Sequence, residues 1–262
     1  MKISVCGKGG SGKSVIATLL AYEFKSRGYR VLVVDSDESN SGLFRMLGFT
    51  EPPIPLMEMV GGKKGLKDRM GRSSSAGKSE TKAEILSLEK IRVSDIPPQY
   101  IKERDGLRLV NIGKILQALE GCACPMGVLS REFLGKLRLG KNEICIVDME
   151  AGVEHFGRGV ETSIDLVLVV VEPSFESLEL AAKVKQLAVG SGVKNVRAII
   201  NKVSSTEMAG KLAAELVRRG VNIVGAIHAN REIFEACMSG GSLETVIVGE
   251  VKEIVSNLLS KG

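Results

Sequence analysis

Apolar residues along this chain fall into short unbroken runs, separated by longer stretches where they recur every three or four positions. The runs are Ile3 to Cys6, Arg30 to Asp35 (with Val31-Leu32-Val33-Val34 inside it), Leu107 to Ile112, Ile144 to Asp148, Asp165 to Glu172, Val196 to Asn201 and Asn222 to Ile227. An unbroken Val/Ile/Leu run is what a strand carries when both of its faces are covered. Val15 to Arg27, Glu176 to Val189 and Glu207 to Arg219 instead have the spacing of amphipathic helices. The carboxyl-terminal stretch, with Ile247, Val251, Ile254, Val255 and Leu258, reads the same way. There Glu250 and Glu253 nearly offset Lys252 and Lys261, which favours a helix packed on the sheet over one lying on a membrane. Buried strands alternating with helices predict the α/β class: one doubly wound, mostly parallel sheet flanked by helices. Its ligands should lie at the carboxyl ends of the strands.

Composition narrows this only slightly. The 262 residues are 44% hydrophobic, enough for a full core, and no linker separates two cores, so a single domain over 1–262 is expected. Between Gly61 and Lys82 lie Lys63, Lys64, Lys67, Arg69, Arg72, Lys78 and Lys82 against only Asp68 and Glu80. That window accounts for the whole net charge of +5 and, with its glycines and serines, predicts a basic, mobile insertion at about 50–105. Without interleaved aromatic residues it does not point to nucleic acid. The longest apolar run, Leu166 to Val171, stops at Glu172-Pro173, far short of the roughly 18 residues of a membrane span. Because Met1-Lys2-Ile3-Ser4-Val5 runs straight into a glycine-rich loop, no signal peptide and a cytoplasmic location are expected. Five cysteines, an odd number and mostly far apart, do not suggest a disulfide framework.

The chemistry begins at Gly7-Lys8-Gly9-Gly10-Ser11-Gly12-Lys13-Ser14, followed by Val15. A chain that approaches a triphosphate must expose successive backbone N–H groups with no side chains in the way, which the four glycines allow. The helix that follows turns its positive end to the phosphates. Lys13 supplies a cation to the β- and γ-phosphates, and Ser14 offers a hydroxyl to magnesium. The predicted ligands are ATP or ADP with Mg²⁺. Asp35 and Asp37 close the second strand, where the nucleotide is expected; alternatively both cap a helix starting near Asn40. Asp148 closes the run from Ile144 in the place of a magnesium-side carboxylate, and Gly152 follows four residues later. Asn201 ends its own run, where it could cap the loop that follows.

Lys8, the second lysine of the loop, resembles the mark of the deviant-Walker ATPases, which include MinD, ParA and the nitrogenase iron protein. That resemblance implies a P-loop ATPase and an ATP-sandwiched homodimer in which Lys8 reaches the partner's nucleotide; taken alone, Lys8 could be an exposed loop lysine. It further implies that Asp37 handles the attacking water, Asp35 supports the magnesium shell and Asn201 reads the adenine. Gly121-Cys122-Ala123-Cys124-Pro125 then acquires a meaning. Two alternate thiolates can share one soft metal ion, and a two-fold axis would double them to a Cys₄ site. Free structural thiols and a redox pair are the other readings.

Val147-Asp148-Met149-Glu150-Ala151-Gly152-Val153-Glu154-His155-Phe156-Gly157-Arg158-Gly159 closely resembles the second switch of CooC-type proteins, the nickel-insertion ATPases that mature carbon monoxide dehydrogenase. Glu172-Pro173, Asn201-Lys202-Val203 and a Cys-x-Cys pair ahead of the Asp148 strand look similar too. The resemblance covers most of the chain apart from roughly 50–105. It implies a metallochaperone ATPase holding Ni²⁺ or Zn²⁺ on Cys122 and Cys124 of both subunits, with a nickel enzyme such as carbon monoxide dehydrogenase as client. Neither nucleic acid nor membrane is an expected partner. Glu150, where a small residue is usual, and His228-Ala229, where a proline-containing segment is expected, depart from the pattern. The rival functions are an iron–sulfur electron-transfer ATPase like the nitrogenase iron protein, and a MinD/ParA-like positioning ATPase. The adjacent spacing of Cys122 and Cys124 favours a single ion over a cluster.

Overall fold

In the computed structural model, which describes residues 1–39, 42–62, 65, 87–113, 124–157 and 159–260, the apolar runs become strands of one sheet. They are β1 (Lys2–Gly7), β2 (Arg30–Asp35), β4 (Leu107–Asn111), β5 (Glu143–Asp148), β6 (Leu166–Val171), β7 (Val196–Val203) and β8 (Asn222–His228). One more strand, β3 (Lys102–Arg104), completes the order β3-β4-β2-β5-β1-β6-β7-β8. Every neighbouring pair is parallel except β3 with β4. The fold is thus the doubly wound, mostly parallel sheet that the pattern predicts. All six residues of β6 (LVLVVV) are buried, as a strand covered on both faces must be.

The helices are α1 (Lys13–Ser26), α2 (Leu43–Met46), α3 (Leu56–Met59), α4 (Cys124–Lys136), α5 (Glu154–Gly157), α6 (Phe175–Gly190), α7 (Thr206–Arg218), α8 (Arg231–Ser239) and α9 (Gly249–Leu259). The side chains that point from the sheet to one face pack with Ile16, Leu20 and Phe24 of α1 and Ile254, Val255 and Leu258 of α9. The other face packs with Leu129 and Phe133 of α4, Val184 of α6 and Leu216 of α7. Each fully buried side chain of this size contributes roughly 1.5–3 kcal/mol of transfer free energy, and that burial holds both layers to the sheet.

Among the elements not foreseen, two bear on the edge of the sheet and on the site. The residues of β3, Lys-Glu-Arg, carry no apolar signal, yet they form a short edge hairpin with β4. Its turn is Asp105-Gly106, with φ of 51° and 81°. An Asp-Gly pair with both φ positive is the two-residue turn whose twist suits a hairpin. The second of these is α4, entered at Cys124 with Pro125 in its first turn, where a missing N–H costs nothing. The ends of the 50–105 segment belong to the core: Leu56, Met57, Val60, Ile91, Val93 and Ile96 are all buried. The seven basic residues that motivated a mobile insertion lie outside the described residues. No helix of the described residues is long and apolar enough to cross a membrane.

Candidate functional site

The glycine-rich loop joins β1 to α1 at the carboxyl end of the sheet. At two positions only glycine fits. Gly7 has φ 146°, and a Cβ there would lie 2.5 Å from the carbonyl oxygen of Val170 on β6; Gly12 has φ 95°, with a Cβ 2.5 Å from Asn201 Nδ2. Gly12 leads directly into α1, whose amino end carries no side-chain cap and no acidic residue in its first turn. That end suits a phosphate. The loop is braced from β7: Asn201 Nδ2 donates to the Ser11 carbonyl at 2.8 Å, and Lys202 Nζ donates to the Gly10 carbonyl. Within the loop, Ser11 N–H donates to the Lys8 carbonyl at 3.2 Å. Lys13 is buried and its Nζ lies 3.4 Å from the Lys8 carbonyl.

Parallel pairing sets Asp35 beside Asp148 at the ends of β2 and β5. Asp148 is completely buried, and the Ser14 hydroxyl donates to its Oδ2 at 2.5 Å. Burial, with the Asp35 carboxylate adding and the Ser14 hydrogen bond opposing, pushes the Asp148 carboxyl up to about 7. The Asp37 N–H faces Asp35 Oδ1 at 3.3 Å, while Asp37 Oδ1 accepts from the N–H and hydroxyl of Ser39 at 2.9 and 2.7 Å. Neither carboxylate caps the next helix, since α2 is entered at Gly42.

A buried carboxyl held near neutrality beside a second carboxylate is a site whose electrostatics a divalent cation would reverse, so these residues fit magnesium. Among the described residues no group of three or more His, Cys, Asp or Glu could hold a metal ion. Magnesium usually takes one or two carboxylates and completes its shell with phosphate oxygens and water.

The raised Asp148 has a measurable consequence in magnesium-free protein. An acid whose folded value lies above its ordinary 3.8 contributes stability that is present below that value and lost as pH rises through about 7. Asp148→Asn should therefore stabilise the metal-free protein at about pH 8 by on the order of 2 kcal/mol, a rise of several degrees in Tm, and far less at about pH 4. Thermal melts of both proteins at the two pH values test this; equal shifts would exclude the ionisation as the cause.

Between the loop and the β8–α8 segment lies a cleft of about 660 Å³, within the usual range for a small-molecule site. Gly10, Gly12, Lys13, Ser14, Val15 and Asp37 line one side, and Asn201, His228, Ala229, Ile233 and Phe234 the other. The apolar wall of Ile233 and Phe234, with Met46, offers a flat base a surface that the sequence reading missed. Its signal was Asn230, whose side chain caps α8 by accepting from the Ile233 N–H at 3.1 Å. His228 Nδ1 pairs with Glu250 Oε1 at 3.1 Å, which ties this wall to α9.

Gly9, completing the loop, sits opposite Ala151, and Gly152 (φ 89°) donates its N–H to the Gly7 carbonyl at 3.2 Å, so the segment after β5 touches the loop. Lys8 lies outside the cleft, its side chain 40% exposed and its Nζ 3.5 Å from Glu172 and 3.9 Å from Glu176. Glu172 also faces Lys202 at 3.7 Å. Cys122 lies outside the described residues, and Cys124 is placed only as the first residue of α4. That helix touches both strand-end segments: Ser36 Oγ and Ser130 Oγ are 3.1 Å apart, and one small recess is lined by Ser36, Glu38, Met126, Gly127, Met149 and His155.

A family model described as the CobQ/CobB/MinD/ParA nucleotide binding domain matches residues 3–243. An uncharacterised ATP-binding protein of Methanocaldococcus jannaschii is 41% identical over 261 residues, covering 98% of this chain and 99% of its own. The carbon monoxide dehydrogenase accessory protein CooC of Rhodospirillum rubrum is 36% identical over 206 residues, covering 78% of this chain and 75% of its own. Among solved structures, the cell division ATPase MinD of Pyrococcus furiosus matches with a TM-score of 0.68 at 18% identity, covering 100% of this chain and 99% of that one. At that identity the likeness concerns the fold alone.

Proposed function

Since this chain belongs to the CobQ/CobB/MinD/ParA nucleotide-binding family and is an ATPase of the MinD/ParA type, we propose that it is a homodimerising metallochaperone that uses ATP to deliver nickel to carbon monoxide dehydrogenase or a related nickel enzyme. The observation that carries this reading is the position of α4. It begins at Cys124 and packs against the segments that follow Asp35 and Asp148, the two places where the presence of a γ-phosphate would be felt. A change at the nucleotide thus has a short path to α4, the helix that begins at Cys124. The relative that is a carbon monoxide dehydrogenase accessory protein supports the choice of client.

In this reading the loop N–H groups and Lys13 hold the phosphates, and Asp37 orients the attacking water. Ser14 and Asp148, with Asp35 alongside, would hold magnesium, which supplies charge neutralisation at the phosphates. Asn201 faces the base, and Lys8 leaves Glu172 and Glu176 to reach the nucleotide of a second copy. The closed dimer gathers Cys122 and Cys124 from both subunits around one ion of cargo, and hydrolysis loosens that cage.

The test is transfer. Nickel-loaded protein is mixed with nickel-free carbon monoxide dehydrogenase, and recovered carbon monoxide oxidation is followed with and without ATP. ATP should raise the recovery. Lys8→Ala should bind ATP as a monomer, fail to dimerise by light scattering, and lose the ATP effect. A wild-type protein that dimerises with ATP yet never restores the enzyme would end the insertion reading. A Lys8→Ala dimer of undiminished strength would end the role of Lys8.

A further inference from the structure

We propose that the recess at the opposite end of the sheet, at the amino ends of β2 and β5, is a second ligand site, taking a small molecule that carries two or more carboxylate or phosphate groups. Arg30, Arg92, Arg108 and Arg138 converge on this recess with Val93 and Glu143, around about 440 Å³. That volume suits a small molecule.

The four arginines come from four separate stretches of the chain, which the fold brings to one recess. Arg30 opens β2 and stands in register with Glu143 of β5. Arg108 lies on β4, facing Glu103 of the edge strand at 3.0 Å. Ile91 bridges Leu137 in parallel fashion, with Ile91 N–H donating to the Lys136 carbonyl at 2.9 Å and Arg138 N–H to the Ile91 carbonyl at 2.7 Å. That bridge sets Arg92 and Arg138 on adjacent segments. Arg138 also donates from its guanidinium to the carbonyls of Gly135 and Leu137 at 2.7 and 3.1 Å, which pins it at the end of α4.

Glu143 does not neutralise this set. Its Oε1 is shared by Arg30 at 3.2 Å and Arg108 at 3.4 Å, and its Oε2 accepts the Gly140 N–H at 2.7 Å. It therefore orients two guanidiniums and has little left for the others. Among the described residues neither the Arg92 nor the Arg138 guanidinium pairs with a carboxylate, and the Asp95 carboxylate is engaged by the Arg92 backbone N–H at 2.8 Å. Guanidiniums lining one recess give it a positive potential that draws an anion. Guanidinium forks meet carboxylate and phosphate in pairs of parallel hydrogen bonds, so a ligand with two or more such groups matches the arrangement. Strands of six residues, at roughly 3.3 Å per residue, put this site about 20 Å from the nucleotide, so both can be filled together.

Calorimetric titration tests it, with the nucleotide cleft saturated by magnesium-ADP so that only the second site reports. The probes are citrate and fructose 1,6-bisphosphate. At least one should bind with a stoichiometry of one per chain and a Kd below about 1 mM. Binding by citrate alone assigns the carboxylate source, by the bisphosphate alone the phosphate source. Arg92→Gln with Arg138→Gln should weaken it by about tenfold or more. Arg92→Gln alone, at an exposed side chain, should weaken it several-fold in a protein whose melting is unchanged. Lys211→Gln, on the exposed face of α7, should leave it unaltered. No heat from either probe at about 10 mM, or equal binding by wild type and the double variant, would overturn the proposal.

Discussion

Lys13→Ala should leave the chain folded and lower its affinity for ATP by at least about a hundredfold. Lys13 is buried at the first residue of α1, and its ammonium already lies against the loop at the Lys8 carbonyl. A triphosphate entering the loop meets that cation without a search. Removing it leaves the N–H groups of the loop but takes away a charge-assisted contact worth roughly 3 kcal/mol. Alanine is the best helix former, so α1 should not suffer. Titration of a fluorescent ATP analogue, beside far-UV circular dichroism, separates the two effects. Asp37→Ala is the counterpart: it should bind ATP nearly as well and hydrolyse it about a hundredfold more slowly, the usual effect of losing a group that handles the attacking water. Equal hydrolysis by wild type and Asp37→Ala would remove Asp37 from the mechanism. Tight ATP binding by Lys13→Ala would remove the lysine from the phosphate site.

The other large effect concerns the cysteine pair. If Cys122 and Cys124 complete a site only across a dimer, reduced protein should take up one zinc or nickel ion per two chains. Replacing either cysteine by serine should weaken uptake by a thousandfold or more, on the order of 4 kcal/mol, because a hydroxyl is a poor ligand for a soft site. Linkage then requires that nucleotide which favours the dimer raise metal affinity by the factor by which metal strengthens the dimer. Affinity should fall as pH drops, because protons compete for the thiolates. The other cysteines are controls of different kinds. Cys6 and Cys145 are buried, and burial pushes the Cys145 thiol up to about 12, so it has no thiolate to offer. Cys237 is exposed on α8. Thiolate absorbance followed together with molecular mass reads all of this. One tight ion per monomer would exclude a shared cage.

Why some of this was legible in the sequence and some was not has a physical basis. A strand in a parallel sheet is covered on both faces, so runs such as Leu166 to Val171 announce themselves by composition alone. The phosphate loop is legible because left-handed backbone and close approach at Gly7 and Gly12 exclude every other residue. The edge strand β3 was illegible by the same logic. An edge protects itself with charge, and Lys102-Glu103-Arg104 looks like a loop unless Asp105-Gly106 is read as a hairpin turn. The apolar wall of the cleft draws Met46, Ile233 and Phe234 from distant stretches, and no local pattern brings them together. The reach of Lys8 toward a partner comes from the family resemblance, whereas its pairing with Glu172 and Glu176, which follow β6, needed the fold to be seen.

The bracing of the loop from β7 bears on how fast nucleotide can arrive. Asn201 and Lys202 grip the carbonyls of Ser11 and Gly10, and Glu172 lies between Lys8 and Lys202. The ordering of the loop is then completed when the chain folds, not when ATP binds. Association with a single chain should proceed at the ordinary pace of diffusional capture, in one phase ahead of any dimer closure, and differences among nucleotides should reside in their dissociation rates.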